Sequence, residues 1–319
     1  MSDATYSPRV YKKQGGNEMV VANGGTLTVE AGGVLSMSGI LTGLIQGSIF
    51  FVNSVGGSDS ANGLTWATAF ATLDHAVGAC TADHGDAIFV AAKHAETLVG
   101  AGGVAADVAG ITIIGMGTGR QRPIFTSGTD TAASFDITAA RITVANLVFV
   151  NGIDAQTAMI NVSGADVSIS GCEVQTGDAS TQTLIGILTT AGAVRLRVEQ
   201  CHFHGLVTAG TTSQIALVGG DAIVIKNNIL VGACAATGNI SAGTTASLNG
   251  VIDGNIIQNQ TADANNKAIV LGAGDTFSIT NNRMAVIDST APAPVTAAAA
   301  FVGGNYWTGA VGLTAATLM

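Results

Sequence analysis

Ile223-Val-Ile-Lys-Asn-Asn-Ile-Leu230 returns 27 positions later as Gly250-Val-Ile-Asp-Gly-Asn-Ile-Ile257, and after another 27 as Phe277-Ser-Ile-Thr-Asn-Asn-Arg-Met284. Segments opening at Ile142, Val167 and Leu196 share this register, so the successive steps are 25, 29, 27, 27 and 27 residues. The third column reads Val144, Ile169, Val198, Ile225, Ile252, Ile279, and the eighth reads Phe149, Val174, Phe203, Leu230, Ile257, Met284. Self-similarity at such a period marks a solenoid, and period-2 alternation within each unit makes its elements strands. The sixth column ends in Asn228, Asn255 and Asn282, an asparagine ladder; above them the same column holds Cys172 and Cys201. Stacked inward amides are tolerable because each can bond the next along the axis, whereas an isolated buried amide costs ~1–3 kcal/mol.

Outward from these units, the interleaved runs Phe135-Asp-Ile137, Ile160-Asn-Val162, Ile187-Leu-Thr189, Ile215-Ala-Leu217 and Ile269-Val-Leu271 supply a further strand per coil. The expected class is all-β: a single-stranded parallel β-helix over residues 98–290. The chain of 319 residues has 43 glycines and 4 prolines, which suits short strands closed by sharp turns. Charged residues are only 10% of the total, against roughly 25% in an average soluble domain, which implies extensive burial against neighbours. The net charge of −9, with no basic cluster beyond Lys12 and Lys13, argues against nucleic acid. No run of 18 apolar residues occurs, so no membrane span is expected, and residues 1–13 lack the apolar core of a secretory signal. The cysteines Cys80, Cys172, Cys201 and Cys234 have no CxxC spacing and read as free thiols.

Residues 1–48 follow another rule. Asn23-Gly-Gly-Thr-Leu-Thr-Val29 is echoed by Ala31-Gly-Gly-Val-Leu-Ser-Met37, and a segment with so little core needs a partner. Val20, Val21, Leu27, Val29, Leu35 and Met37 are the expected anchor. Residues 49–97 read as the entry: a strand over 49–52, a Gly/Asp/Asn loop, a helix near 71–79 and a strand over 87–91. Phe51-Val-Asn-Ser-Val-Gly-Gly-Ser-Asp-Ser-Ala-Asn-Gly-Leu-Thr-Trp-Ala-Thr-Ala-Phe-Ala-Thr-Leu-Asp-His-Ala76, followed by Gly85-Asp-Ala-Ile-Phe-Val90, resembles the opening of pectate-lyase-like right-handed parallel β-helix proteins. The resemblance implies that the helix caps the first rung, with Trp66, Phe70, Leu73 and Val77 spaced to cover it. After Pro292 the register is expected to break, leaving 291–319, with Phe301, Tyr306 and Trp307, as a C-terminal cap or tail.

Outward columns carry whatever chemistry the solenoid has. Glu199, Lys226 and Asp253 alternate in charge down the fourth column, as a cross-strand ladder would. Val224, Ile229, Val251 and Ile256 are exposed apolar residues of adjacent rungs and are the expected subunit interface. Polysaccharide-cleaving members of the resembled superfamily use Ca²⁺ held by acidic residues with a basic proton acceptor, or paired carboxylates. The best candidate cluster is Glu173, Arg197, Glu199, His202 and His204, but no acidic pair recurs within one strand and the catalytic motifs of the lyase and polygalacturonase members are not matched. His84-Gly-Asp86 and Asp74-His75 read as turn and helix-surface residues of the cap, and Gly115-Met-Gly-Thr-Gly119 as a solenoid turn, since it lacks the Lys-Ser/Thr of a phosphate loop.

Tyr6-Ser-Pro-Arg-Val-Tyr-Lys-Lys-Gln-Gly-Gly-Asn-Glu-Met-Val-Val21 is similar to the N-termini of tailed-phage head-associated proteins. Together with the anchor-plus-solenoid layout, it implies a phage virion structural protein without catalytic residues, metal or cofactor. The expected form is a homotrimeric decoration or head-fibre protein, made in the host cytoplasm and bound to the major capsid protein on the capsid surface. The alternative is a tailspike-like polysaccharide depolymerase or a glycan-binding fibre.

Overall fold

The computed structural model describes residues 10–12, 19–21, 47–177, 181–205, 210–234, 237–261, 266–286, 295–296, 301–309 and 317–318. The chain forms two compact units, residues 1–44 and 45–319. In the first, Val10–Lys12 and Met19–Val21 pair antiparallel, Val10 opposite Val21. Val20 and Val21 therefore lie on a strand; Leu27, Val29, Leu35 and Met37 fall outside the described residues.

The second unit is an all-β, right-handed parallel β-helix. Its described strands form parallel sheets of ten, ten and eight members, the only antiparallel addition being Thr317–Leu318 beside Tyr306–Gly309. Each full coil gives one strand to each sheet: Arg197–Glu199 to the first, His202–His204 to the second and Ser213–Leu217 to the third. The third column, Val144 through Ile279, pairs in register along the first sheet, and the eighth, Phe149 through Met284, along the second. Both rows are buried and meet the third sheet's Phe135, Ile160, Ile187, Ile215 and Ile240 in one core. Removing each such side chain from water stabilises the fold by about 1.5–3 kcal/mol.

The repeated segment is two strands, not one, because its fifth column turns a corner. Asn146, Gln200, Asn227 and Asn281 have φ of 56 to 60°, and glycine stands there at 171, 254 and 304. Left-handed backbone favours Gly and Asn, which explains the Asn/Gly content of this column. The corner shifts side-chain parity: columns three, six and eight point inward, columns four and seven outward.

The sixth column lies just inside the corner. The Asn228 Nδ2 donates to Asn255 Oδ1 at 3.0 Å, Asn255 Nδ2 to Asn282 Oδ1 at 2.9 Å, and Asn282 Nδ2 to Asn305 Oδ1 at 3.0 Å. Each amide oxygen also accepts the backbone N–H of the preceding rung, so these fully buried groups satisfy corner backbone as well as one another. Asn305 belongs to a further coil: Phe301–Gly303 and Tyr306–Gly309 pair in register with Phe277–Thr280 and Arg283–Val286. The register break expected after Pro292 does not appear among the described residues: Val295–Thr296 continues the third sheet beside Ile269–Val270, and the repeat goes on into this coil. Cys172 and Cys201 are buried free thiols at the same corner.

At the entry, Ile49–Val52 pairs with Ala87–Val90, and the helix Leu73–Gly78 buries Leu73, Ala76 and Val77. Thr72 caps it, its hydroxyl accepting from the His75 N–H at 3.4 Å. Trp66 is not on this helix; it lies in the 3₁₀ turn Trp66–Thr68, exposed, against the ring of Phe51. Asp86 is buried and accepts from the N–H of Ser48 and of Thr81, with His84 Nδ1 2.8 Å away, while Asp74 accepts from the Ala105 N–H. These groups tie the cap to the first coils.

Candidate functional site

The second sheet presents one continuous outward column: Val148, Glu173, His202, Ile229, Ile256, Arg283, Tyr306. Beside it, two residues along each strand, run Val150, Gln175, His204, Val231 and Gln258. Alternation within each strand places Glu173 and Gln175, and likewise His202 and His204, on the same face.

Four polar side chains converge there. Gln175 Nε2 donates to Glu173 Oε1 at 2.8 Å, and His204 Nε2 lies 3.0 Å from the same oxygen. The other oxygen takes the guanidinium of Arg122, whose Nη1 and Nε also donate to the carbonyls of Gly171 and Gly119. Burial disfavours a charge on Glu173, but the hydrogen bonds from Gln175 and His204 and the charge of Arg122 outweigh it and hold the carboxyl below its usual range. Glu173 is therefore an anion with both oxygens engaged, unsuited to donating a proton.

His202 and His204 have ring centroids 5.2 Å apart. Partial burial, and next the proximity of His204, lower the pKa of His202 below the usual 6.5, with Glu173 opposing only in part. A His204 that donates through Nε2 keeps a basic lone pair on Nδ1. His204 also lines a hollow of about 290 Å³ with Val150, Asn151, Gln175, Gly177, Thr181 and Gly205. Behind it, the buried Asn151, Gln156 and Thr183 bond one another at 2.6 to 3.1 Å, giving the hollow a fixed polar wall. An imidazole oriented by a carboxylate at the wall of a cavity can act as a general base.

The corner separates residues that the linear sequence places side by side. Arg197 and Glu199 stand on the first sheet, 3.3 Å from each other, across Gln200 from His202. Glu173, His202 and His204 are brought together; Arg197 and Glu199 are not. A second hollow, of about 410 Å³ by Asp166, Arg195, Arg197, Val224 and Asn249, has its arginines neutralised by Asp166 and Glu199. Sequence reasoning missed Arg122 and Gln175. Arg122 ends the insertion 116–122, where the first-to-second-sheet corner is longer than in later coils, and that departure from period was the available signal.

The four expected interface residues form two rows on two sheets. Val224 and Val251 neighbour each other on the first, Ile229 and Ile256 on the second, and the Lys226–Asp253 ion pair at 3.1 Å lies beside the corner between them. Burial pushes the thiols of Cys80 and Cys234 up to about 12, which leaves them poor nucleophiles. Among the described residues no group of three or more His, Cys, Asp or Glu side chains is placed to hold a metal, and no helix is long and apolar enough to cross a membrane.

No protein-family model matches the sequence, and a search of the curated proteins gives no match. Among solved structures, the chain is similar to a rhamnogalacturonan lyase, with 16% identity and a TM-score of 0.40 over 81% of this chain and 62% of the lyase. It is also similar to the GH136 lacto-N-biosidase from Eubacterium ramulus, with 12% identity and a TM-score of 0.41 over 82% of this chain and 67% of that enzyme. At such identities and TM-scores no residue role passes from either protein to this chain. The expectation of a non-enzymatic virion structural protein is corrected at this point: the solved structures sharing the architecture are a lyase and a lacto-N-biosidase, and a decoration or fibre role finds no support.

Proposed function

We propose that this β-helix binds and cleaves a polysaccharide on the outer face of its second sheet, with His204 as general base and Glu173 as the residue that orients it. The observation carrying this reading is the contact of His204 Nε2 with Glu173 Oε1 at 3.0 Å, beside a hollow of about 290 Å³. Arg122 and Gln175 immobilise the carboxylate, and His202 supplies a second, predominantly neutral imidazole. Regular outward rows at the ~4.8 Å strand spacing suit a linear polymer. Paired-carboxylate hydrolysis fits less well, because it needs a carboxyl able to donate a proton and Glu173 is held ionised.

The test is size-exclusion chromatography of acidic and neutral polysaccharides after incubation with the protein and with His204→Ala. Shortened chains with the wild type, and at least about a 100-fold slower reaction with the variant, support the proposal. Equal cleavage by both moves the chemistry elsewhere. Binding without shortening supports recognition alone, a reading favoured by the full engagement of Glu173.

A further inference from the structure

Four and five strands beyond the Glu173 rung, the same column reaches Arg283 and then Tyr306, which are in-register partners on the outer face of the second sheet. They share a hollow of about 490 Å³ with Ile256, Gln258 and Ala285. Arg122, Arg141, Arg195 and Arg197 each pair with a carboxylate, but the exposed Arg283 side chain has no hydrogen-bond or ion-pair partner among the described residues. Tyr306 is 50% exposed and Ile256 45%. An unpaired guanidinium beside an open aromatic side chain and an apolar floor can hold a sugar carrying an anionic group: the faces of the ring and the floor meet its C–H surface, and the guanidinium its carboxylate or sulfate.

We infer that Arg283 and Tyr306 form a remote subsite for an anionic sugar residue of the polysaccharide whose cleavage is proposed at His204. The inference rests on that reading for the identity of the polymer. Three strand spacings separate His202 from Arg283, about 14 Å, with Ile229 and Ile256 forming an uncharged track between them. One extended chain can therefore touch both places. The subsite selects acidic over neutral polymers, and binding so far from the reacting bond positions the chain without taking part in the reaction.

The experiment measures binding of polygalacturonate oligosaccharides, of their methyl-esterified form and of a neutral dextran to full-length protein carrying His204→Ala, so that no turnover intervenes. Esterification and Arg283→Gln are each expected to weaken binding about 10- to 100-fold, the range of one charge-assisted contact, and to show no further loss when combined. Tyr306→Ala is expected to weaken both charged and esterified forms. Equal binding of the charged and esterified forms, an unchanged affinity in Arg283→Gln, or no binding of the acidic probe overturns the subsite. Arg283 is exposed, and an unchanged far-ultraviolet circular dichroism spectrum verifies that its variant folds. Charge-selective binding through Arg283 with no cleavage by the wild type retains the subsite and defeats the catalytic proposal; cleavage with charge-blind binding does the reverse.

Discussion

Glu173 Oε1 lies 3.0 Å from His204 Nε2 although the two residues are 31 positions apart and not direct cross-strand partners; Glu173 is opposite His202, and Gln175 opposite His204. The contact is diagonal across adjacent rungs, and the guanidinium of Arg122, from two rungs before Glu173, holds the other carboxylate oxygen. Each arm of this arrangement has a distinct consequence.

Glu173→Gln retains the shape of the side chain and removes its charge. It is expected to lower kcat by roughly 10- to 100-fold with little change in KM, because the amide still touches His204 but no longer stabilises its protonated form. Steady-state kinetics on whichever polysaccharide is cleaved gives the split; an effect confined to KM would assign Glu173 to binding.

The same substitution changes how stability depends on pH. The pKa of Glu173 is lowered in the folded protein from the usual 4.5, so its ionisation adds stability that is fully present above the unfolded value and is lost as pH falls through the folded one. Wild type should lose stability relative to Glu173→Gln as pH is taken from about 5 downward. Urea unfolding of the pair at successive pH values measures this, and parallel curves would contradict it.

His202 has its pKa depressed below 6.5, so it stays neutral further into acid than a solvated imidazole. Its folded form binds fewer protons, so its contribution to stability is complete above 6.5 and declines below it as the unfolded chain takes up protons. Proton NMR of the His202 ring should give a midpoint below that of an unfolded peptide; a midpoint at or above it would show that Glu173 dominates its surroundings.

Asn255 makes four side-chain hydrogen bonds across three rungs, two as donor to Ile225 O and Asn282 Oδ1, and two as acceptor from Asn228. Asn255→Ala strands the buried backbone N–H of Asn228 and is expected to cost on the order of 3 kcal/mol. Because a solenoid's stability is shared between neighbouring coils, hydrogen exchange should quicken first in Val224–Lys226 and Phe277–Thr280. Uniform quickening along the chain would indicate one cooperative unit instead.

The fold was legible because Val198, Ile225 and Ile252 recur at the sheet spacing and Phe203, Leu230 and Ile257 recur five positions further on, so both inward rows survive in the linear text. What it hid was the bend between them. A left-handed residue at Gln200 or Asn227 looks no different from any polar residue in an alternating strand, yet it sends Arg197 and Glu199 to one sheet and His202 and His204 to another. Arg122 was invisible for a different reason: it reaches the site from an irregular insertion, and a periodic reading has no column for it. The final coil escaped notice because Phe301 is in register with Ser278, a step of 23 residues where the three before it were 27.

The most direct test is a crystal structure of His204→Ala soaked with an oligosaccharide of a polymer that the protein binds. The account predicts sugar density along the outer face of the second sheet, passing beside Glu173 and His202 and continuing toward Arg283. Density confined to the first or third sheet would contradict it.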